Sequence, residues 1–461
     1  MTAAPSDPRP ARSVASRTSV TLLALLGFAG YAWVGVTQYV RGFAGNYDLG
    51  IFTQAAKGWV SAGTPIAPIK GGSLFADHFS PITALFGLAY AVWSDPRALI
   101  LTQSLSLALA VLLVGFHARA HLPRGRALVV MGSVAVGVPF VAAARFDVHE
   151  TGLGAAIFAG FFLSVRAGAL TPTLLWALAA LTIKEDVGPI VVMAGVAWWL
   201  IRRDARGAFA LAALGLAGLA LATFVIGANA EVVSPYSSYL LSGEADWSLA
   251  RWQPALLFLA MSGFGWREPM ALLALPTLAW RALASAPNVW SVTYHYDVPL
   301  AVLAAIVLVD RLRTARGWAG ARTFGLAGVS PILGLVLATG LTPWRAHPFQ
   351  SPYAAAPLAA LTQHIPAGDA VLADQHLGVL LVPHFEVRML STTDRPGTLQ
   401  LTAPAAARWV VLNPGEHTWG APRCAKTQWL RSVSYPRWTS GSFVLVDQGS
   451  PKVPALQPCR D

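Results

Sequence analysis

Residues 18–40 read TSVTLLALLGFAGYAWVGVTQYV, an apolar run without a charged side chain. A helix needs about 20 apolar residues to cross a bilayer, and similar runs recur through the first three-quarters of the chain. No clear small-residue cleavage site follows this run, which favours a retained helix over a removed signal peptide. The repeated runs therefore predict an all-α polytopic membrane bundle.

The composition of the whole chain agrees with this class. Of 461 residues, 55% are hydrophobic and 12% are charged, with a mean hydropathy of +0.53. Soluble domains carry about 25% charged residues, and the apolar runs lack the alternation of a membrane β-barrel. The net charge of +11 follows from basic loops that orient membrane helices, so it does not indicate nucleic-acid binding.

Basic residues orient the predicted spans. Arg119, Arg124 and Arg126 follow the second span, and further arginines lie at 202–206 and 311–322. Keeping these loops inside predicts about 11 spans in a plasma membrane, with a cytoplasmic amino terminus and an extracytoplasmic carboxyl end. The predicted spans are 18–40, 98–116, 127–144, 152–165, 170–184, 187–201, 208–230, 254–265, 269–285, 297–310 and 323–341.

This threading divides the chain into three regions. Residues 1–17 are predicted to be a disordered cytoplasmic tail, and residues 18–341 form the membrane domain with an outer loop at 41–97. Residues 80–93 are too short to span and are expected to form a surface or re-entrant helix. Residues 342–461 are predicted to be a small extracytoplasmic α/β domain. Its expected elements are a helix at 353–363 and buried strands at 370–373, 409–412 and 443–446.

Cys424 and Cys459 are the only cysteines, and both fall in this last region. They suit a disulfide in an oxidising compartment, and two unrelated thiols are the alternative because connectivity cannot be read from sequence.

Acidic residues are the most informative feature of the membrane region. Residues 1–341 contain 15 Asp and Glu, and the threading places 11 of these 15 on the outer side. Ionisable groups at the ends of membrane helices are costly and indicate a functional site. The candidate site residues are Asp48, Asp77, His78, Arg145, Asp147, His149, Glu150, Lys184, Glu185, Asp186, His295 and Tyr296.

Asp48 lies in the stretch Asn-Tyr-Asp-Leu-Gly at 46–50, just beyond the first span. A carboxylate above the bilayer could act as a general base on an acceptor hydroxyl. The alternative is a helix N-cap, because helix-like spacing follows through residue 60. Similarly, Asp77 and His78 could orient a substrate, whereas Ser80 before Pro81 is typical of a helix start.

The other clusters suggest ligands for a phosphate-bearing sugar. Arg145 could hold a phosphate, while Asp147, His149 and Glu150 could hold sugar hydroxyls or a divalent ion. Their spacing is less regular than that of most metal sites, so no cofactor is certain and no metal ligand is assigned.

Lys184 faces outward, against the positive-inside trend, and suits a lipid-linked phosphate. A Lys–Glu ion pair between two helix ends is the alternative. Tyr294 and Tyr296 fit interfacial anchors, which leaves His295 and Asp297 unexplained.

The order of these pieces resembles the GT-C superfamily of polytopic membrane glycosyltransferases, and most of all an uncharacterised bacterial membrane family, a domain of unknown function. The closer likeness covers roughly 40–390. It rests on Tyr-Asp-Leu-Gly at 47–50, Asp-His-Phe-Ser-Pro at 77–81, Lys-Glu-Asp at 184–186 and Tyr-His-Tyr at 294–296. The first loop has one acid where several relatives have an adjacent pair, and a Pro-Pro step is absent.

The resemblance implies a polyprenyl-phosphate sugar donor that is attacked on the outer face with inversion. It implies that Asp48 is the base and that Lys184 and Arg145 neutralise the leaving phosphate. By the same likeness, Asp147, His149 and His78 would hold the sugar or the acceptor. The likeness to a bacterial family implies that the membrane is a bacterial plasma membrane. The expected partners are this donor and membrane lipids, and the oligomeric state is left open.

Two other functions compete with this one. A transporter or lipid flippase would show inverted repeats and polar groups near the membrane midplane, and Arg281 is the one candidate charge there. A non-catalytic membrane scaffold would leave the clusters dispersed around the rim. No Walker, dinucleotide-binding, nucleophile-elbow or zincin motif occurs in the sequence.

Overall fold

The computed structural model describes residues 14–230, 248–314, 352–391, 406–418, 421–452 and 454–457, with residues 325, 332 and 459. The predicted tail at 1–17 lies outside these residues except for 14–17, which belong to the first helix. The predicted span at 323–341 also lies outside them, apart from its two single residues.

Helices build the part of the chain before residue 315. They are α1 Val14–Val40, α2 Ile51–Ala62, α3 Ala84–Val92, α4 Pro96–His121, α5 Arg124–Ala135, α6 Val138–Arg145, α7 Glu150–Leu153, α8 Ala155–Ala167, α9 Leu170–Leu181, α10 Val187–Arg202, α11 Ala205–Asn229, α12 Gln253–Met261, α13 Leu275–Leu283 and α14 Val298–Thr314.

Four segments within the described residues are long and apolar enough to cross a membrane: Arg17–Val40, Pro96–His121, Arg124–Arg145 and Ala205–Asn229. Five shorter apolar helices have 10–17 residues. The membrane class is thus supported, while the count of about 11 spans stays a prediction. The short predicted helix at 80–93 is confirmed as a 3-10 turn followed by α3.

Several predicted spans are interrupted. The expected span at 127–144 is divided at Gly137 into α5 and α6, and Pro139 lies in the first turn of α6. Proline lacks the amide hydrogen that a continuous helix would require. The expected span at 269–285 begins as the 3-10 segment Pro269–Ala274 before α13.

The core of the helical part surrounds α14. Every residue of this helix from Val298 to Val309 is buried, as expected for a helix that is apolar on all sides. It packs against α4, α5 and α8. The 3-10 turn His295–Asp297 leads directly into α14, so this turn is carried into the interior of the bundle.

The carboxyl-terminal part contains a five-stranded sheet. Its strands are β3 Ala370–Ala373, β4 Glu386–Met389, β5 Ala407–Leu412, β6 Arg437–Ser440 and β7 Phe443–Lys452, and its helices are α15 Ala355–Thr362, α16 Gln375–Leu381 and α17 Arg423–Ser432. The strand order is β4-β3-β5-β7-β6, with β3 parallel to β4 and β5 and the other pairs antiparallel. The outer loop adds the small hairpin of β1 Ile66–Ala67 and β2 Gly72–Ser73.

The predicted strands at 370–373, 409–412 and 443–446 and the predicted helix at 353–363 are all confirmed. A disulfide joins Cys424 in α17 to Cys459. It ties the end of the chain to this domain.

Candidate functional site

Asp48 lies within a single π-helical turn, Asn46–Gly50, that runs into α2. The caps of the two helices are Gly45 and Gly50, so Asp48 caps neither of them and the capping alternative is wrong. π-Helical turns are rare and frequently mark functional sites. Asp48 is half-buried, whereas Leu49 beside it is fully buried and fixes the turn in the core.

Asp147 brings a second carboxyl group to the same place from the turn between α6 and α7. Its Oδ2 atom accepts a hydrogen bond from the Gly45 backbone N–H at 2.6 Å. Its φ of 22° is a conformation that L-residues rarely adopt. The stretch 46–50 carries a single acid in sequence, and the fold brings a second one, Asp147, from 102 residues beyond Gly45.

The two carboxyl groups differ in their titration. Burial raises the pKa of Asp48 to about 7, although Lys70 acts to lower it. Burial and the neighbouring charge of Asp48 raise the pKa of Asp147 well above its usual value. Near neutral pH, Asp48 can therefore exchange a proton, and the environment of Asp147 likewise favours its protonated form. A base with a pKa close to the working pH is well suited to proton transfer.

Lys70 was not anticipated from the sequence, and it organises the outer loop. Its Nζ atom lies 2.5 Å from Asp77 Oδ2 and donates to the Tyr47 hydroxyl at 3.3 Å. Burial would raise the pKa of Asp77, but His78 and Lys70 hold it at about 2. Asp77 is thus a permanent anion that supports both cationic neighbours.

Glu185 connects this loop to the start of α10. Its Oε1 atom lies 3.2 Å from His78 Nδ1, and its Oε2 atom accepts from the Phe79 backbone N–H at 3.0 Å. Ser80 occupies the predicted cap position, but it makes no capping hydrogen bond. The predicted helix start is confirmed in position, because Ser80 is the N-cap residue of the 3-10 turn Pro81–Thr83 and Pro81 is its first residue. The Ser80 hydroxyl is buried without a partner among the described residues.

Glu150 is the hub of a buried ionic cluster. Its carboxylate lies 2.8 Å from Lys184 Nζ and 2.6 Å from His149 Nδ1, and the side chain is fully buried. The alternative interpretation of Lys184, as half of a Lys–Glu ion pair, therefore holds, and Glu150 is the partner. Asp186, two residues after Lys184, is half-buried. Burial raises the pKa of its carboxyl group to about 6.

The His149 ring stacks on His295, with centroids 3.4 Å apart and planes inclined by 15°. His295 is 1% exposed, and neither of its ring nitrogens has a hydrogen-bond partner among the described residues. The Tyr296 ring lies 4.2 Å from His295. The turn before α14 thus joins the cluster.

Arg281 serves this turn from α13. Its Nη1 atom lies 2.5 Å from Asp297 Oδ1, and both side chains are buried. Arg281 Nε also donates to the Val289 carbonyl at 2.7 Å. The candidate charge for a transport path is therefore neutralised within the protein.

Arg145 lines a narrow crevice with Gln38, Gln103 and Asp147. Its Nε atom is buried without a hydrogen-bond partner in the described part of the chain. The arginine thus retains donor capacity beside the carboxyl pair, as a phosphate-binding residue requires.

Gln103 is a second residue that sequence reasoning missed. Its Oε1 accepts from the His149 N–H at 2.7 Å, and its Nε2 donates to the carbonyls of Ala143 and Asp147. It holds the whole turn that carries three candidate residues. A buried amide inside the apolar helix α4 is the signal that could have revealed it.

Across the described ranges, the five sequence clusters form continuous contacts rather than separate patches. No group of three or more His, Cys, Asp or Glu side chains with the arrangement of a metal site occurs among the described residues. The arrangement instead offers a carboxyl pair that can exchange a proton next to buried cations.

The fold and the apolar helices are those of a polytopic membrane protein. The structure of ArnT from Cupriavidus metallidurans in the apo state has a similar fold, with a TM-score of 0.58 at 12% identity, covering 97% of this chain and 100% of that chain. The arabinofuranosyltransferase AftD from Mycobacteria has a TM-score of 0.49 at 14% identity, covering 94% of this chain and 40% of that chain.

The chain belongs to the DUF2079 family of predicted membrane proteins, whose model matches residues 41–440. No curated protein sequence matches it significantly.

Proposed function

We propose that this protein is a membrane glycosyltransferase that transfers a sugar from a polyprenyl-phosphate donor to a hydroxyl group of an extracytoplasmic acceptor, with inversion. The observation that carries the proposal is the convergence of five distant stretches around the Asp48–Asp147 pair. A scaffold gains nothing from burying so many ionisable groups together. The shared fold with ArnT supports a transferase of this general kind.

The chemistry follows from the placement of the charges. Asp48 takes the proton of the acceptor hydroxyl, and the acceptor oxygen forms a bond to the anomeric carbon. The bond between that carbon and the phosphate oxygen breaks, and its electron pair leaves with the polyprenyl phosphate. Arg145 binds the departing phosphate, and Lys184 adds positive charge nearby, so the developing charge is stabilised as it forms.

Asp147 has a supporting part in this reaction. Its carboxyl group binds a hydroxyl of the sugar or the acceptor, while its Oδ2 atom accepts the hydrogen bond from the Gly45 N–H. Glu150 and Asp77 keep Lys184, His149, Lys70 and His78 in place. The site lies on the outer face in this proposal, because all its turns follow outward-going helices in the predicted threading.

The test is transfer by the purified full-length protein in liposomes. The liposomes contain one of several undecaprenyl-phosphate-linked hexoses or pentoses, and methyl glycosides are supplied as acceptors. Release of undecaprenyl phosphate with formation of a glycosylated product of opposite anomeric configuration supports the proposal. Movement of the lipid-linked sugar across the bilayer without product would support a flippase instead and would overturn the proposal.

A further inference from the structure

The carboxyl-terminal domain rests directly on the loop that carries Asp48. His376 Nδ1 in α16 lies 3.1 Å from the Ala44 carbonyl oxygen. Gln54 in α2 donates to the Val387 carbonyl of β4 at 2.6 Å. These contacts join the sheet domain to α2 and to residues 44–50, which we call the acidic loop. The second domain therefore lies next to the site.

The close fit between the two domains depends on glycines, which have no side chain. A Cβ atom on Gly378 would lie 2.3 Å from the Asn46 Nδ2 atom, and one on Gly50 would lie 2.3 Å from the Asn46 Oδ1 atom. Asn46 is fully buried between these two glycines. The approach of α16 to the acidic loop is therefore as close as the backbone permits.

Gln375, the first residue of α16, extends towards Gly45 and Asp147. A Cβ atom on Gly45 would lie 2.6 Å from Gln375 Nε2 and 3.2 Å from Asp147 Oδ2. The amide group of Gln375 and the carboxyl group of Asp147 thus both lie beside the Gly45 Cα atom. The Gln375 Oε1 atom is buried and accepts no hydrogen bond from any described residue.

Asp374 fixes the position of Gln375. The Asp374 Oδ2 atom accepts from the Asn413 N–H at 2.6 Å and from Lys426 Nζ at 3.1 Å. Both side chains of the Asp374–Lys426 pair are fully buried. A polar side chain on so constrained a turn is pre-organised for binding.

The place of this turn in the sheet also suits a ligand. Gln375 and Asn413 follow the carboxyl ends of the parallel strands β3 and β5. The chain leaves β3 towards β4 on one side, while β5 lies on the other side. Ligands of parallel α/β sheets bind in the crevice at such a reversal of strand order.

We propose that Gln375 and Asp147 form a hydroxyl-binding subsite at the junction of the two domains, for a polyol acceptor such as a sugar. Gln375 Oε1 accepts an O–H from one acceptor hydroxyl and Asp147 binds its neighbour, which presents a third hydroxyl to Asp48. This subsite rests on the proposed transferase function. It assigns to the second domain a part in acceptor binding.

The test compares Gln375→Met and Gln375→Ala with Gln363→Ala. Methionine fills a similar volume without an oxygen acceptor, and Gln363 is an exposed glutamine of the same domain. With undecaprenyl-phosphate-linked sugars as donors and methyl glycosides as acceptors, both Gln375 variants should lose about tenfold or more in kcat/KM, as a rise in KM for the glycoside. The Gln363 variant should match the wild type.

The outcomes separate the two proposals. If the wild type transfers sugar and Gln375→Met keeps the wild-type KM for the glycoside, the subsite is overturned while the transferase function stands. The same holds if Met restores activity that Ala loses, because packing alone then explains the effect. If the wild type releases no undecaprenyl phosphate with any donor, both proposals fail together.

Discussion

Two groups of acids lie side by side at the ends of the helices, and they are stabilised in opposite ways. Glu150, Asp77 and Glu185 each contact a cationic or histidine side chain within 3.2 Å. Asp48 and Asp147 make no ion pair with a described residue within 4 Å, and burial raises the pKa of both. Neighbouring charges lower the pKa of Glu150 and of Asp77, whereas burial favours the protonated form of both members of the second group.

This difference separates architecture from chemistry. An ion-paired carboxylate is a poor base, because its negative charge is already stabilised. Burial raises the pKa of a carboxyl group that has no cation in contact. A pKa near neutral pH makes proton transfer efficient. Perturbed pairs of this kind are concentrated at functional sites. The two groups therefore predict different consequences when one member of each is changed.

The largest effect is expected for Asp48→Asn. The amide cannot take a proton, so kcat should fall by about 10²–10⁴-fold, the usual contribution of a general base. The unfolding temperature should stay near that of the wild type, because no described ion pair is lost. Release of undecaprenyl phosphate from the lipid-linked donor measures the rate.

Glu386→Gln is the matched control for that variant, because Glu386 is an exposed acid of the sheet domain that pairs with the partly exposed Arg388. It should leave transfer unchanged. Full activity of Asp48→Asn would remove Asp48 as the base and would shift attention to Asp147.

Glu150→Gln tests the other group through stability. It leaves Lys184 buried without its anion, and loss of one member of a buried pair costs about 3–5 kcal/mol. The free energy of unfolding in detergent, followed by tryptophan fluorescence, should fall by that amount. A variant as stable as the wild type would show that the cluster is solvated and exchangeable.

The sequence predicted which residues form the site better than it predicted the contacts between them. Clusters that the predicted spans place on one side meet in space. The alternative of a Lys–Glu pair between two helix ends holds for Lys184, and the sequence does not reveal that its partner is Glu150. That partnership depends on tertiary packing.

Other features could not be read locally. Asp147 lies beside the stretch that carries Asp48 only because its distant turn contacts Gly45. Lys70 follows a two-residue strand with no motif to mark it, and the breaks within α5–α6 and before α13 follow from Gly137 and from prolines whose effect depends on packing. Three of the five strands of the sheet were predictable, whereas Glu386–Met389, Arg437–Ser440 and the contact of the sheet domain with the acidic loop were not.

Gly378→Ala asks whether packing alone holds the acidic loop. An added methyl group meets Asn46 in a tight interface, and such overpacking costs about 1–3 kcal/mol. Transfer should fall by about tenfold as α16 moves away from the loop. Gly415→Ala is the matched control, since its Cβ would meet only Asn413 Oδ1 at 3.5 Å. Equal activity of the two variants would show that the acidic loop is independent of the second domain.

The smallest effect is expected in the pH profile of Lys70→Gln. Asp48 must be ionised to accept a proton, so kcat/KM should rise with pH through about 7, the pKa of Asp48 in the folded protein. Lys70 lowers that pKa by its positive charge. Removing the charge should therefore raise the pKa of Asp48 and move the acidic limb of the profile to higher pH, with little change on the alkaline plateau.

Lys57→Gln, on α2 close to the same loop, is the control for this shift and should leave the limb in place. If the acidic limb of Lys70→Gln stayed at its wild-type pH, Asp48 could not be the group that titrates, and the contrast between the free pair and the ion-paired cluster would lose its chemical meaning. A limb that moved to lower pH would indicate instead that Asp77, released from Lys70, had taken the place of Asp48 in the proton transfer.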